Sequence, residues 1–109
     1  MKQSFKKLVR DRIPEIISAE GENPIIRTLS REEFKKELLK KLVEEAKEAA
    51  ETNGAQKDLI KEIGDVREVL AAIIREFEID EGEVEKMQKE RREARGGFDK
   101  KIFLEYIEE

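Results

Sequence analysis

Apolar residues recur along this chain at helical spacing, and turn signals separate one periodic stretch from the next. Leu8 to Ala19 reads as an apolar start followed by a short helix, with Pro14 in its first turn, where a missing N–H costs nothing. Gly21 and Pro24 bracket a loop, and Ile25 to Leu29 fits a brief extended segment. Ser30 with Glu33 three residues on forms a capping box that opens a second helix, running to about Thr52 and stopped by Asn53-Gly54. A third helix spans about Gln56 to Glu78 through Leu59, Ile60, Ile63, Val66, Leu70, Ile73, Ile74 and Phe77. Asp80 with Glu83 predicts another capping box and a fourth helix ending at Gly96-Gly97. The tail from Phe98 to Glu109 holds six large apolar residues, and its periodicity fits a strand or a helix equally. The fold class expected is all-α: an antiparallel bundle of about four helices forming one domain over residues 1–109.

Placing residues at about 100° per position sharpens this picture. The short Asn53-Gly54 connection makes the second and third helices antiparallel neighbours, so their apolar stripes should face one another. On the second helix the stripe is Phe34, Leu38, Leu42, Ala46 and Ala49; Glu45 falls inside it, Glu48 at its edge, and Glu44 mostly away. On the third the stripe is Leu59, Val66, Leu70, Ile73 and Phe77; Glu62 falls inside it, between Val69 and Ile73, and Asp65 at its edge. Each helix therefore sets one acid in its apolar face and another three residues later beside it. A carboxylate against hydrocarbon is costly without a partner, and four converging carboxylates raise one another's pKa. A divalent cation relieves both penalties. The bland alternative is that Glu45 and Glu62 reach the rim or pair with Lys or Arg.

Composition narrows the ion. The chain has no cysteine and no histidine, which excludes disulfides, thiolate sites and histidine acid–base chemistry, and speaks against zinc and non-haem iron. With only oxygen ligands left, Mg2+ is the first choice and Mn2+ the second. Charged residues make up 46% and hydrophobic ones 38% of 109 residues, so a monomer has a thin core and a homodimer or higher homo-oligomer is expected to complete it. No apolar run reaches membrane-spanning length and the start, Met1 to Leu8, is not a signal peptide; a soluble cytoplasmic chain without a membrane partner is the expectation. The net charge of −4 is unevenly spread: Lys2, Lys6, Lys7, Arg10 and Arg12 at the start, an acidic middle, and a basic stretch from Lys86 to Lys101. On charge alone these are ordinary solvated faces, although an acidic centre between basic flanks also suits a metal site with a phosphate ligand.

Glu44-Glu45-x-x-Glu48, followed after 13 residues by Glu62-x-x-Asp65, resembles the EExxE…ExxD signature of the all-α nucleoside triphosphate pyrophosphohydrolases. That superfamily includes MazG, the all-α dUTPases and the phosphoribosyl-ATP pyrophosphohydrolases. Lys7-Leu8-Val9-Arg10-Asp11-Arg12-Ile13-Pro14 and Arg95-Gly96-Gly97-Phe98 are similar to a MazG-like, phosphoribosyl-ATP pyrophosphohydrolase-like subgroup. The resemblance implies Mg2+-dependent cleavage between the α and β phosphates of a nucleotide, giving a monophosphate and pyrophosphate. It assigns Glu45, Glu48, Glu62 and Asp65 as metal ligands, and aligns Glu44 with the acid that orients or activates water. Arg10 and Arg12 from the N-terminus, with Lys89, Arg92 and Arg95 from the fourth helix, are the candidates to hold polyphosphate; each is otherwise a surface ion pair. Gly96-Gly97 lacks the spacing and the Lys-Ser/Thr of a Walker loop.

Three rivals come from other classes. A non-catalytic metal-binding helical oligomerisation module would use the same acids structurally. Nucleic-acid binding through the basic ends is opposed by the acidic centre, a pI near 5.2 and the lack of tryptophan. A di-iron carboxylate bundle draws on Glu-x-x-His pairs, which a chain without histidine does not have.

Overall fold

Ser30 opens one of the two longest helices among the described residues. Its hydroxyl accepts from the Glu33 N–H at 3.2 Å while the Glu33 carboxylate accepts from the Ser30 N–H at 3.2 Å, so the capping box is complete. In this computed structural model, which describes residues 4–109, the chain forms four helices: α1 (Ile13–Ala19), α2 (Arg31–Glu51), α3 (Gln56–Glu76) and α4 (Glu81–Arg95). No strand occurs among the described residues, so Ile25–Leu29 is irregular rather than part of a sheet, as is the tail beyond Gly97. Lys2, counted above in the basic N-terminus, lies outside the described residues.

α2 and α3 are antiparallel, as their short connection requires. Arg31, at the start of α2, pairs with Glu76 at the end of α3 at 3.3 Å, while Glu48 and Glu62 approach each other near the turn. The turn itself is local chemistry. The Thr52 hydroxyl donates to the Ala49 carbonyl at 2.7 Å and accepts from the Gly54 N–H, and Asn53 and Gly54 both adopt positive φ, a region that Asn and Gly tolerate best. The hydrophobic core of the hairpin is thin: Leu38 and Val69 are the buried apolar residues among those described. Glu45 is buried with them.

The described residues divide into two compact units, one ending at Glu78 and the other spanning Ile79–Glu109. In the first, the segment before α1 reaches the hairpin through Lys7 and Arg10. In the second, the Asp80 carboxylate accepts from the Gly82 N–H at 2.8 Å and caps α4. The reciprocal bond from Glu83 is not made, so the expected box is a single cap. Gly96, at positive φ, ends α4 with its N–H on the Arg92 carbonyl at 2.7 Å. No helix among the described residues is long and apolar enough to cross a membrane.

Candidate functional site

Two of the expected acids are held inside the hairpin. Helical spacing carries Glu45 into the apolar face of α2, where only 8% of it is exposed, and Glu62 into that of α3, half-buried. Glu48, one turn beyond Glu45, completes a group of three whose carboxylate oxygens lie within 4.8 Å of one another. Glu48 is the most open of the three. It borders, with Glu62, a shallow surface depression of about 440 Å3, so the cluster communicates with solvent.

The electrostatics are those of like charges held together. The Glu48 carboxyl is pushed above its ordinary value of 4.5, first by a hydrogen bond shared with the Glu45 carboxyl, then by burial and by the charges of Glu45, Glu62 and Glu44. Two oxygens remain unsatisfied: Glu45 Oε2 and Glu62 Oε2 are buried and have no hydrogen-bond partner. An orphaned buried carboxylate oxygen costs free energy, and a cation of oxygen preference is the simplest group to satisfy two of them together.

Asp65, the fourth expected ligand, is not in this group. Its Oδ1 accepts from Arg10 at 2.8 Å and its Oδ2 from Lys61 at 3.2 Å. Partial burial pushes the Asp65 carboxyl up, but the hydrogen bonds and charges of Lys61 and Arg10 outweigh it and hold the group below its ordinary value of 3.8. Lys61 is raised in turn, first by its bond to Asp65 and then by that to Glu62. Arg10 is thus brought to the edge of the acid site, whereas Arg12 pairs locally with Glu15 at 3.1 Å. Glu44 is half-buried, with Lys41 at 3.2 Å and Lys7 at 3.5 Å, both on its Oε1. Lys89, Arg92 and Arg95 are exposed on α4, in the second unit, and none of them is in an ion pair among the described residues.

Sequence reasoning overlooked Lys41, Lys61 and Lys7. The first two carried a readable signal, since Lys41 stands four residues before Glu45 and Lys61 four before Asp65. Lys7 carried none, because its contact with Glu44 joins distant parts of the chain. The larger cleft of the first unit, about 720 Å3, contains none of the three clustered glutamates; Lys6, Lys7, Arg27, Lys36 and Lys40 make its wall basic. The orphaned carboxylate oxygens belong to the acid cluster and not to this cleft.

Over 51 residues the chain is 55% identical to an uncharacterized protein of Mycolicibacterium smegmatis. The matched stretch is 45% of this chain and 52% of that protein, so the chain spans about half the length of the curated relative it matches. No protein-family model matches the sequence, and no solved structure does either.

Proposed function

We propose that this chain is a Mg2+-dependent nucleoside triphosphate pyrophosphohydrolase, similar to the MazG-like and phosphoribosyl-ATP pyrophosphohydrolase-like members of the all-α superfamily. It would clear unwanted nucleotides from the cytoplasmic pool. The observation that carries this is the gathering of Glu45, Glu48 and Glu62 within 4.8 Å, with two buried oxygens left unpartnered. Hydrolysis of the α–β bond transfers a water oxygen to the α phosphorus, and pyrophosphate departs with the bridging oxygen. The proton lost by water needs a carboxylate; the resemblance gives that role to Glu44, with Glu45 beside it in the chain. Mg2+ (or Mn2+) would supply charge neutralisation for the polyphosphate and activation of the attacking water. Glu45, Glu48 and Glu62 would hold it, with Asp65 joining once released by Arg10 and Lys61. Arg10, already beside the acids, is then free to take a phosphate oxygen, with Arg12, Lys89, Arg92 and Arg95 as further candidates.

The proposed assembly is a homodimer in which the α2–α3 hairpins of two copies form a four-helix bundle. Leu39 and Val43 on α2, and Ile60, Ile63 and Leu70 on α3, are exposed. By helical angle they lie on the sides of their helices opposite Glu48 and Asp65. A second hairpin laid on that apolar side would cover it without blocking the acids. Light scattering should give twice the mass of the chain for the wild type, and monomer for Val43→Glu with Ile63→Glu; a monomeric wild type sinks the dimer.

The catalytic claim is tested by pyrophosphate release from canonical, deoxy and modified nucleoside triphosphates, and from phosphoribosyl-ATP, with Mg2+. The second reading, a non-catalytic metal-binding oligomerisation module, is favoured by the engagement of Asp65 with two cations. Folded protein that binds Mg2+ but turns over nothing in that panel decides for it.

A further inference from the structure

Glu45 and Glu62 share a detail that the acid cluster alone does not explain. Each has one oxygen on a lysine and the other turned inward without a partner. Lys41 Nζ lies 3.5 Å from Glu45 Oε1, and Lys61 Nζ lies 3.2 Å from Glu62 Oε1; Glu45 Oε2 and Glu62 Oε2 are the orphans. Each lysine also bridges to the next motif acid, Lys41 to Glu44 at 3.2 Å and Lys61 to Asp65 at 3.2 Å. Each helix of the hairpin thus sets one lysine on a site glutamate and on a second motif acid, from different spacings. The Lys41 side chain is only 17% exposed, far less than an ordinary surface lysine, whereas that of Lys61 is 68% exposed.

We propose that Lys41 and Lys61 are positioning residues for the metal centre: each holds one oxygen of its glutamate, Glu45 or Glu62, so that the buried oxygen alone is presented to the ion. This rests on the metal-binding reading above. The physical need is plain. The terminal torsion of a glutamate is broad and roughly two-fold, so an unrestrained carboxylate swaps its oxygens or offers both. An ammonium on one oxygen removes that freedom before the ion arrives. Partners of this kind, which touch the ligand and not the ion, typically change metal affinity by about 10–100-fold when removed.

The sign of the effect separates this role from simple charge. Deleting a positive charge beside a cation site should tighten cation binding if the lysine acts only as a competing counter-charge. Deleting a positioning group should weaken it. The experiment is calorimetric titration of the full chain with Mg2+ alone, repeated with Mn2+ followed by its electron paramagnetic resonance signal. Lys41→Met keeps an apolar stem in the same space and should raise the Mg2+ Kd about tenfold, while Lys41→Arg should keep most of the wild-type affinity. Lys61→Met, at the more open position, should weaken binding by a smaller factor, and its exposure makes it a safe second variant if Lys41→Met folds poorly. Unchanged or tighter Mg2+ binding by the folded methionine variants overturns the positioning role and leaves the metal centre standing. A wild type that takes up no Mg2+ overturns the metal centre itself, and this role with it.

Discussion

Replacing Glu45 and Glu62 together by glutamine should make the protein more stable without metal and indifferent to Mg2+. Two unit charges 4.8 Å apart, the outer limit for the clustered oxygens, repel by about 3.5 kcal/mol at an effective dielectric of about 20. Access of solvent at Glu48 reduces this, so roughly 1–3 kcal/mol is recoverable on neutralisation. Loss of the contacts with Lys41 and Lys61 offsets part of it, by about 0–1 kcal/mol each. For a domain of this size one kcal/mol moves Tm by about 4–8 °C. The metal-free double variant should therefore melt several degrees above the metal-free wild type. Mg2+ at about 100 times its Kd stabilises the wild type by about 2.7 kcal/mol, a rise of roughly 10–20 °C. The variant should shift by no more than a degree or two. Differential scanning calorimetry at matched ionic strength measures all four states. A wild-type Tm that stays flat across the Mg2+ titration would refute the metal-site argument, whatever the glutamine variant does.

Three further outcomes are expected. Ser30→Ala removes the hydroxyl half of the α2 capping box and should cost about 1 kcal/mol in chemical denaturation, with Mg2+ affinity unchanged because the acids lie several turns away. Arg10→Ala breaks the 2.8 Å pair with Asp65; Lys61 remains, so stability should fall by less than about 1 kcal/mol, while KM for a nucleotide substrate rises. In metal-free protein the raised Glu48 carboxyl adds stability that is full below 4.5 and is lost as pH climbs through its folded value. The lowered Asp65 works oppositely: its stability is present above 3.8 and lost as pH falls through its folded value. Tm against pH should therefore decline from mildly acidic towards neutral pH without metal, and saturating Mg2+ should abolish that decline.

Much of this molecule is determined locally and can be read from the chain. Ser30 with Glu33, Asn53 with Gly54, and Gly96 act on their own neighbours within a turn of backbone, so the limits of α2, and the end of α4, follow from residue type. The period of 3.6 residues likewise places Glu45 and Glu62 in apolar faces, since a helix fixes the angle of every residue about its axis. The angle does not fix which oxygen points where, nor what stands across the interface. Glu44, set outward by its angle, is half-buried because Lys7 arrives from a distant segment. Asp65 shares its helix margin with no clustered acid because Arg10, 55 residues away, and Lys61 take both its oxygens. The tail from Phe98 to Glu109 offered two periodicities and takes up neither, for no neighbouring strand or helix face fixes one. Helix limits, and the angles that set Glu45 and Glu62 in apolar faces, belong to the sequence, because they need only nearest neighbours. The trio of Glu45, Glu48 and Glu62, and the capture of Asp65 by Arg10, needed contacts of a few ångströms between residues distant in the chain, which no local spacing chooses.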